Sequence, residues 1–273
     1  MDLNLEQLVE QAQAGDKAAL EQIVEQIQDK VYGLALRMLW HPEDARDATQ
    51  EILIRVITHL GTFKGKSKFT TWVYQVAANH LRTIRKSRLE EQQYTFERFG
   101  HELEEGLSEA PLQTESDIEE ALLLEEIKIG CTLGMLLCLD RSRRLAYILG
   151  EILELESPEA AAILEMKPAT FRKQLSRARA EIVNFTRMKC GLVNAQNACH
   201  CRRRVNRALQ SQRVDPRHLL FAHDLERARR FPEVLREIRK LEEAQRAVAL
   251  YRSHPGHTVP ESFVAMVKDL IER

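Results

Sequence analysis

The sequence predicts an all-α protein, and three observations predict it. Only 11 glycines and 8 prolines occur in 273 residues, so few positions break a helix. Aromatic residues make up 6% and charged residues 30%, a balance that suits exposed helix faces over thin cores. Apolar side chains recur at three- and four-residue spacing through most of the chain. The length suffices for two small domains and an extension. The expected architecture is two helical domains, residues 1–88 and 118–187, joined by an acidic linker at 89–117 and followed by a helical Cys-containing extension at 188–273.

Leu3 to Gln13 and Lys17 to Leu39 read as helices, broken at Gly15 and restarted by Asp16 as an N-cap. Leu20, Ile23, Val24, Ile27, Val31, Leu34 and Met38 form a stripe on the second. Pro42, Glu43 and Asp44 then start a third helix, where proline's fixed φ and the positive end of the helix dipole favour them. Ala45, Ala48, Ile52, Val56 and Leu60 give it a core stripe, and Gly61 is its expected end. Asp47, Gln50, Glu51 and Ile54 remain on the outer flank, an acidic and apolar mixture that suits a protein partner rather than phosphate.

After a loop from Gly61 to Lys68, a fourth helix turns Phe69, Trp72, Val73, Val76, Ala77, Leu81 and Ile84 inward. Its other face carries Gln75, Asn79, Arg82, Lys86 and, a step around, Arg85. Amides that can hydrogen-bond base edges, followed by cations that can hold phosphates, suit a single strand or a groove. An ordinary solvated face is the other reading of the same residues.

The stretch DARDATQEILIRV, the basic loop and TTWVYQVAANHLRTIRK resemble region 2 of the extracytoplasmic-function class of bacterial RNA polymerase sigma factors. The resemblance implies that Asp47, Gln50 and Glu51 face the clamp of core RNA polymerase. It also implies that Lys66, Ser67, Lys68, Gln75, Asn79 and Arg82 lie near the non-template strand of melted promoter DNA. Gln75 and Ala78 depart from the family, which often has basic residues there and thus more phosphate attraction.

The net charge of −1 does not announce a nucleic-acid binder, but its distribution does. Thirteen acidic residues and one basic residue, Arg98, fall between Glu90 and Glu126, whereas Lys167 to Lys189 and Arg202 to Arg230 are strongly basic. Residues Leu89 to Ser116 lose apolar periodicity and hold Gly100, Gly106 and Pro111, which reads as a linker. By the same resemblance it would thread polymerase channels that normally carry nucleic acid; plain solubilising disorder accounts for the composition equally well.

Helical spacing returns at Ile118, with Cys131 and Cys138 as small core residues. SPEAAAILEMKPATFRKQLSRARAEI then reads as a helix-turn-helix, with Ser157 as cap and Pro158 and Pro168 opening its two helices. Phe171, Leu175, Ala178 and Ile182 point inward, leaving Thr170, Arg172, Lys173, Ser176, Arg177 and Arg179 exposed for a major groove. Lying after the first lookalike, it resembles region 4 of the same class, the reader of the minus-thirty-five element. Glu165 stands at the turn where the family commonly has glycine.

Beyond Met188, CGLVNAQNACHC gathers Cys190, Cys199, His200 and Cys201, and two helical patterns follow, Leu219 to Tyr251 and Glu261 to Ile271. Cys190, Cys199 and Cys201, with His200, His218 or His223, are candidate zinc ligands, because thiolates suit a tetrahedral zinc. Packing and thiol sensing stand beside that reading.

GTFKGKS at Gly61 to Ser67 misses a phosphate-binding loop by one residue, and no other catalytic motif occurs, so an enzyme is not expected. No apolar run approaches the roughly 20 residues of a membrane span, and the start does not resemble a signal peptide; a cytoplasmic protein without membrane insertion is expected. The leading reading is a sigma factor that needs no cofactor, with core RNA polymerase and promoter DNA as partners and an anti-sigma factor as a candidate regulator. A stand-alone helix-turn-helix regulator and a metal- or redox-responsive interaction protein are the alternatives.

Overall fold

A computed structural model describes residues 4–86, 88–91, 94–110, 112 and 116–272. Leu3 and Pro111, the expected helix start and breaker, lie outside them. Among the described residues the regular elements are helical, without strands. In chain order they are α1 (Leu5–Gln13), α2 (Lys17–Leu39), α3 (Pro42–Thr58), α4 (Phe69–Thr83), α5 (Arg88–Glu91), α6 (Phe96–Glu105) and α7 (Asp117–Leu137). They continue as α8 (Arg141–Tyr147), α9 (Ser157–Ile163), α10 (Pro168–Lys189), α11 (Cys201–Gln210), α12 (Leu225–Lys240), α13 (Glu243–Arg252) and α14 (Val264–Glu272). Two compact units interleave these segments. The first holds the described residues of Met1–Lys86, Ile148–Gln174 and Pro255–Arg273, and the second those of Ser87–Tyr147 and Leu175–His254.

In the first unit, α1 ends in a tight reversal: the N–H groups of Gly15 and Asp16 donate to Ala12 and Gln11 carbonyls at 3.0 Å each. Gly15 meets the left-handed φ of +101° this requires. Asp16 then caps α2 through bonds from the N–H groups of Ala18 and Ala19 at 2.9 and 3.2 Å. The stripe Ile23, Val24, Ile27, Val31, Leu34 and Met38 is buried, while Leu20 is half-buried. It packs against α3 and α4, which supply Ala45, Ala48, Ile52 and Val56, and Phe69, Val73, Ala77 and Leu81. Trp72, Val76 and Ile84 are only half-buried, and α3 stops at Thr58 rather than at Gly61. Leu60–Thr62 forms a short 3-10 turn without positive φ, so no glycine is needed to end the helix.

The chain's last segment returns to α2. Asp29 accepts the N–H of Val259 and Gln28 that of Phe263, both at 2.9 Å, while Lys268 pairs with Glu21 at 3.0 Å. Phe263 and Val267 are buried at this contact.

The second unit is built on α7, against which α11, α12 and α13 pack. Glu126 of α7 is buried and collects three backbone N–H groups, those of Leu220, Phe221 and Ala222 at 2.9, 2.8 and 2.9 Å. Burial nonetheless raises its pKa, the three N–H groups opposing. Two residues on, Lys128 pairs with Glu125 at 2.6 Å and lies 3.8 Å from the centre of the Phe231 ring. Arg144, fully buried, closes the C-terminal end of α7 by donating to the carbonyls of Leu136 and Leu139 at 2.9 Å. Its remaining arm pairs with Glu90 at 2.9 Å.

The expected linker is not structureless. The side chain of Thr95 caps α6, whose Phe99 and Leu103 are buried, and Phe99 stacks on Phe185 of α10 at 5.5 Å. Arg204 donates to the Glu102 and Leu103 carbonyls at 2.9 and 2.8 Å. Acidic side chains of the segment meet basic ones of the extension: Glu102 with Arg213 at 3.3 Å, Glu104 with Lys189 and Glu109 with Arg203. Part of the charge asymmetry along the sequence is therefore matched inside the second unit. The two helical patterns expected in the extension resolve into α12, α13 and α14.

Candidate nucleic-acid interface

On α3 the flank expected to face a partner is presented: Asp47, Gln50 and Glu51 are exposed and Ile54 is half-buried, opposite the buried Ala45, Ala48 and Ile52. Thr49, also buried, satisfies its hydroxyl on the Ala45 carbonyl at 2.6 Å. Glu51 lies 3.6 Å from His80 of α4. Burial, with Arg55 nearby, lowers the His80 pKa, and Glu51 only partly opposes this. Burial thus disfavours the charged ring beside Glu51.

Between α3 and α4, Gln13 donates through its amide to the carbonyls of Leu60 and Phe63 at 2.8 and 2.9 Å, which fastens the loop at its start. Phe63, Phe69 and Trp72 cluster at 5.2 to 5.6 Å between ring centres and fasten it at its end. Lys66, Ser67 and Lys68 stand exposed between these anchors. Arg85 and Lys86 are exposed just beyond α4.

The middle of the α4 face is occupied. Glu165, at the turn after α9, accepts from the Gln75 amide at 3.0 Å and the Asn79 amide at 3.4 Å, and its carboxylate lies 3.7 Å from the Arg82 guanidinium. Arg82 also donates to the Leu164 carbonyl at 3.3 Å and to the Asn79 side chain. Farther back, the Thr71 hydroxyl donates to Glu159 at 2.7 Å. The contacts hold α9 on α4, but they are light: with the Glu165 side chain 55% exposed, the ion pair contributes at most about 1 kcal/mol.

Glu165 itself carries backbone strain. The N–H groups of Glu165 and Met166 donate to the Ala162 and Ala161 carbonyls at 3.1 and 3.0 Å, the same reversal that Gly15 makes after α1. Here the left-handed position, φ +55°, is filled by a side chain instead of glycine, at a cost of about 1–2 kcal/mol.

The helix-turn-helix forms over α9 and α10, with Glu156 rather than Ser157 at the cap position and Pro168 opening α10. Phe171, Ala178 and Ile182 are buried, Leu175 is half-buried, and Thr170, Arg172, Lys173, Ser176, Arg177 and Arg179 are exposed along α10. Glu159, Glu165 and Thr71 were not legible as interface residues; the one signal was the non-glycine residue at the turn.

The zinc reading of Cys190, Cys199 and Cys201 finds no support. Among the described residues no group of three or more His, Cys, Asp or Glu side chains is arranged to hold a metal ion. Cys190 and Cys199 are adjacent through their backbones, and Cys190 and Cys201 pack beside Leu192, Val193, Ile238 and Leu250. Burial pushes the Cys199 thiol up to about 11 and raises those of Cys190 and Cys201 as well.

Two family models match the chain in order, Sigma-70 region 2 over residues 23–89 and Sigma-70, region 4 over residues 129–182. The chain is 33% identical over 183 residues to the RNA polymerase sigma-H factor of Pseudomonas aeruginosa, covering 65% of this chain and 91% of that protein. It is 31% identical over 179 residues to the ECF RNA polymerase sigma-E factor of Escherichia coli, with 65% and 91% covered. It is 27% identical over 184 residues to the ECF RNA polymerase sigma factor SigW of Bacillus subtilis, with 66% and 95% covered. Placed on a helical unit that presents α3 and α4 and on a helix-turn-helix that presents α10, these matches identify the chain as a member of the sigma-70 family of RNA polymerase sigma factors, in its extracytoplasmic-function class.

Proposed function

We propose that the chain brings core RNA polymerase to promoters by a division of labour among three helices. As a sigma factor it is a non-enzymatic initiation subunit that recognises promoter DNA and needs no cofactor. Its modules are residues 1–88 and 118–187. The outer flank of α3, Asp47, Gln50, Glu51 and Ile54, meets the polymerase. The loop residues Lys66, Ser67 and Lys68, with Gln75, Asn79, Arg82, Arg85 and Lys86, hold the melted non-template strand. The exposed residues of α10 lie in the major groove of the upstream element. No helix among the described residues is long and apolar enough to cross a membrane. The proposed place of action is the cytoplasm, with polymerase.

The observation that carries this reading is the paired exposure of an acidic flank on α3 and a cationic face on α10, on the segments that match regions 2 and 4. Run-off transcription with core polymerase and genomic DNA tests it. Discrete transcripts that depend on this chain, and that vanish when residues 1–86 are deleted, are the expected result. Transcription equal to that of core polymerase alone would remove the reading.

A further inference from the structure

We propose that Glu165 and Glu159 form an acidic clasp that occupies the strand-reading face of α4 in the free chain, so that the helix-turn-helix and melted DNA compete for the same donors. The inference rests on the assignment of α4 to the non-template strand.

The competition is atomic. Gln75 and Asn79 spend amide N–H groups on the Glu165 carboxylate, and Arg82 spends guanidinium N–H groups on the Leu164 carbonyl and the Asn79 side chain. Acceptors on base edges and phosphate oxygens would call on these same groups. A carboxylate flanked by a carbonyl offers α4 what a nucleotide offers, anionic and neutral oxygen acceptors. Thr71, one turn behind Gln75, is held by the second carboxylate, Glu159, at 2.7 Å. With α9 lying along α4, a strand cannot reach the middle of this face without displacing it.

The turn after α9 is what aims the Glu165 side chain at α4. The reversal after α9 has the hydrogen bonds of the one after α1, where Gly15 sits without strain. At Glu165 the left-handed position, φ +55°, carries a side chain, and that side chain reaches three donors on α4. The carboxylate is half in solvent and its contacts are few, so the closed form is held lightly. A partner that binds only the open form then shifts the population by its differential affinity. The polymerase surface and duplex DNA on α10 are such partners.

The test uses the full chain and the labelled non-template strand of a promoter mapped by run-off transcription. Glu165→Gly and Glu165→Asn place residues at home in the left-handed region, so both variants should fold at least as well as wild type, which thermal unfolding checks. Without polymerase, each should bind the strand about tenfold more tightly than wild type, and Glu159→Gln combined with Glu165→Gly more tightly still. In the polymerase complex the three should open the promoter equally, because the clasp is already displaced there. Equal affinity of free wild type and folded variants, beside a wild-type complex that opens the promoter, overturns the clasp alone. A wild-type complex that opens no promoter overturns the assignment of α4 and the clasp with it.

Discussion

Glu126, buried on α7, accepts the backbone N–H of Phe221 at 2.8 Å and so fixes a loop 95 residues away in sequence. The same carboxylate serves Ala222 and Leu220, which makes one side chain the anchor of the segment that leads into α12. Glu126→Ala leaves the N–H groups of Phe221 and Ala222 buried without acceptors, at about 1–3 kcal/mol each. Glu126→Gln should cost clearly less. Its amide oxygen can still take Phe221 and Ala222, and its NH2 would face Leu220, which is exposed enough for its N–H to find water. Denaturant unfolding and proteolytic cleavage near residue 220 should rank wild type, Gln and Ala in that order; equal resistance of all three would refute the anchor.

His80 should make the first unit sensitive to acid. Its folded pKa lies below the ordinary value of 6.5 because burial disfavours the charged ring. The unfolded chain therefore binds more protons as pH falls below about 6.5, and the stability supplied by neutral His80 is present above that pH and lost below it. Thermal unfolding at pH 7 and at pH 5.5 should show a smaller drop for His80→Gln than for wild type. An identical drop would assign the acid sensitivity to other groups.

The helices of the first unit were legible because their periodicity is local: the α2 stripe, the Pro42 start and the Asp16 cap each lie within a few residues of what they organise. The helix-turn-helix was legible for the same reason. What could not be read depends on distant partners. Nothing in Ser262 and Phe263 announces that they meet Gln28, and Glu126 looked like one acid among thirteen. The α6 helix was hidden by acidic content, since its apolar face is only Phe96, Phe99 and Leu103, and it becomes stable against Phe185 and the Arg204 guanidinium. Within the site, the donors on α4 were read as a face open to DNA, but that Glu165 lies against them is a tertiary fact.

The α3 flank separates binding from folding. Asp47 and Glu51 are exposed, so Asp47→Lys with Glu51→Lys should change stability by no more than about 0.5 kcal/mol per site. Reversing two charges at a protein interface should abolish co-purification with core polymerase, because like charges then face each other. Wild-type recovery of polymerase by the double variant would place the docking surface elsewhere.

Asn79 should discriminate among sequences rather than add general affinity, since its amide can pair with a base edge. In the polymerase complex, Asn79→Ala should weaken permanganate reactivity at cognate promoters while leaving polymerase binding unchanged. Equal melting by wild type and variant would exclude a reading role for this side chain.

Arg172 and Arg177 differ from Asn79 in that both are exposed cations along α10, which the proposed function turns toward phosphate. A phosphate contact releases counterions, so losing one should reduce the slope of log affinity against log salt by about 0.9 on duplex DNA. Arg172→Ala and Arg177→Ala should each show that reduction in the polymerase complex on the upstream duplex, and should weaken cognate and non-cognate sequences alike. If one instead reads a guanine edge, its loss costs about 1–3 kcal/mol on the cognate sequence and much less on others. Salt titrations on two duplexes, one with the mapped upstream element and one scrambled, separate the two behaviours. An unchanged slope with unchanged discrimination in both variants would take α10 out of the DNA interface.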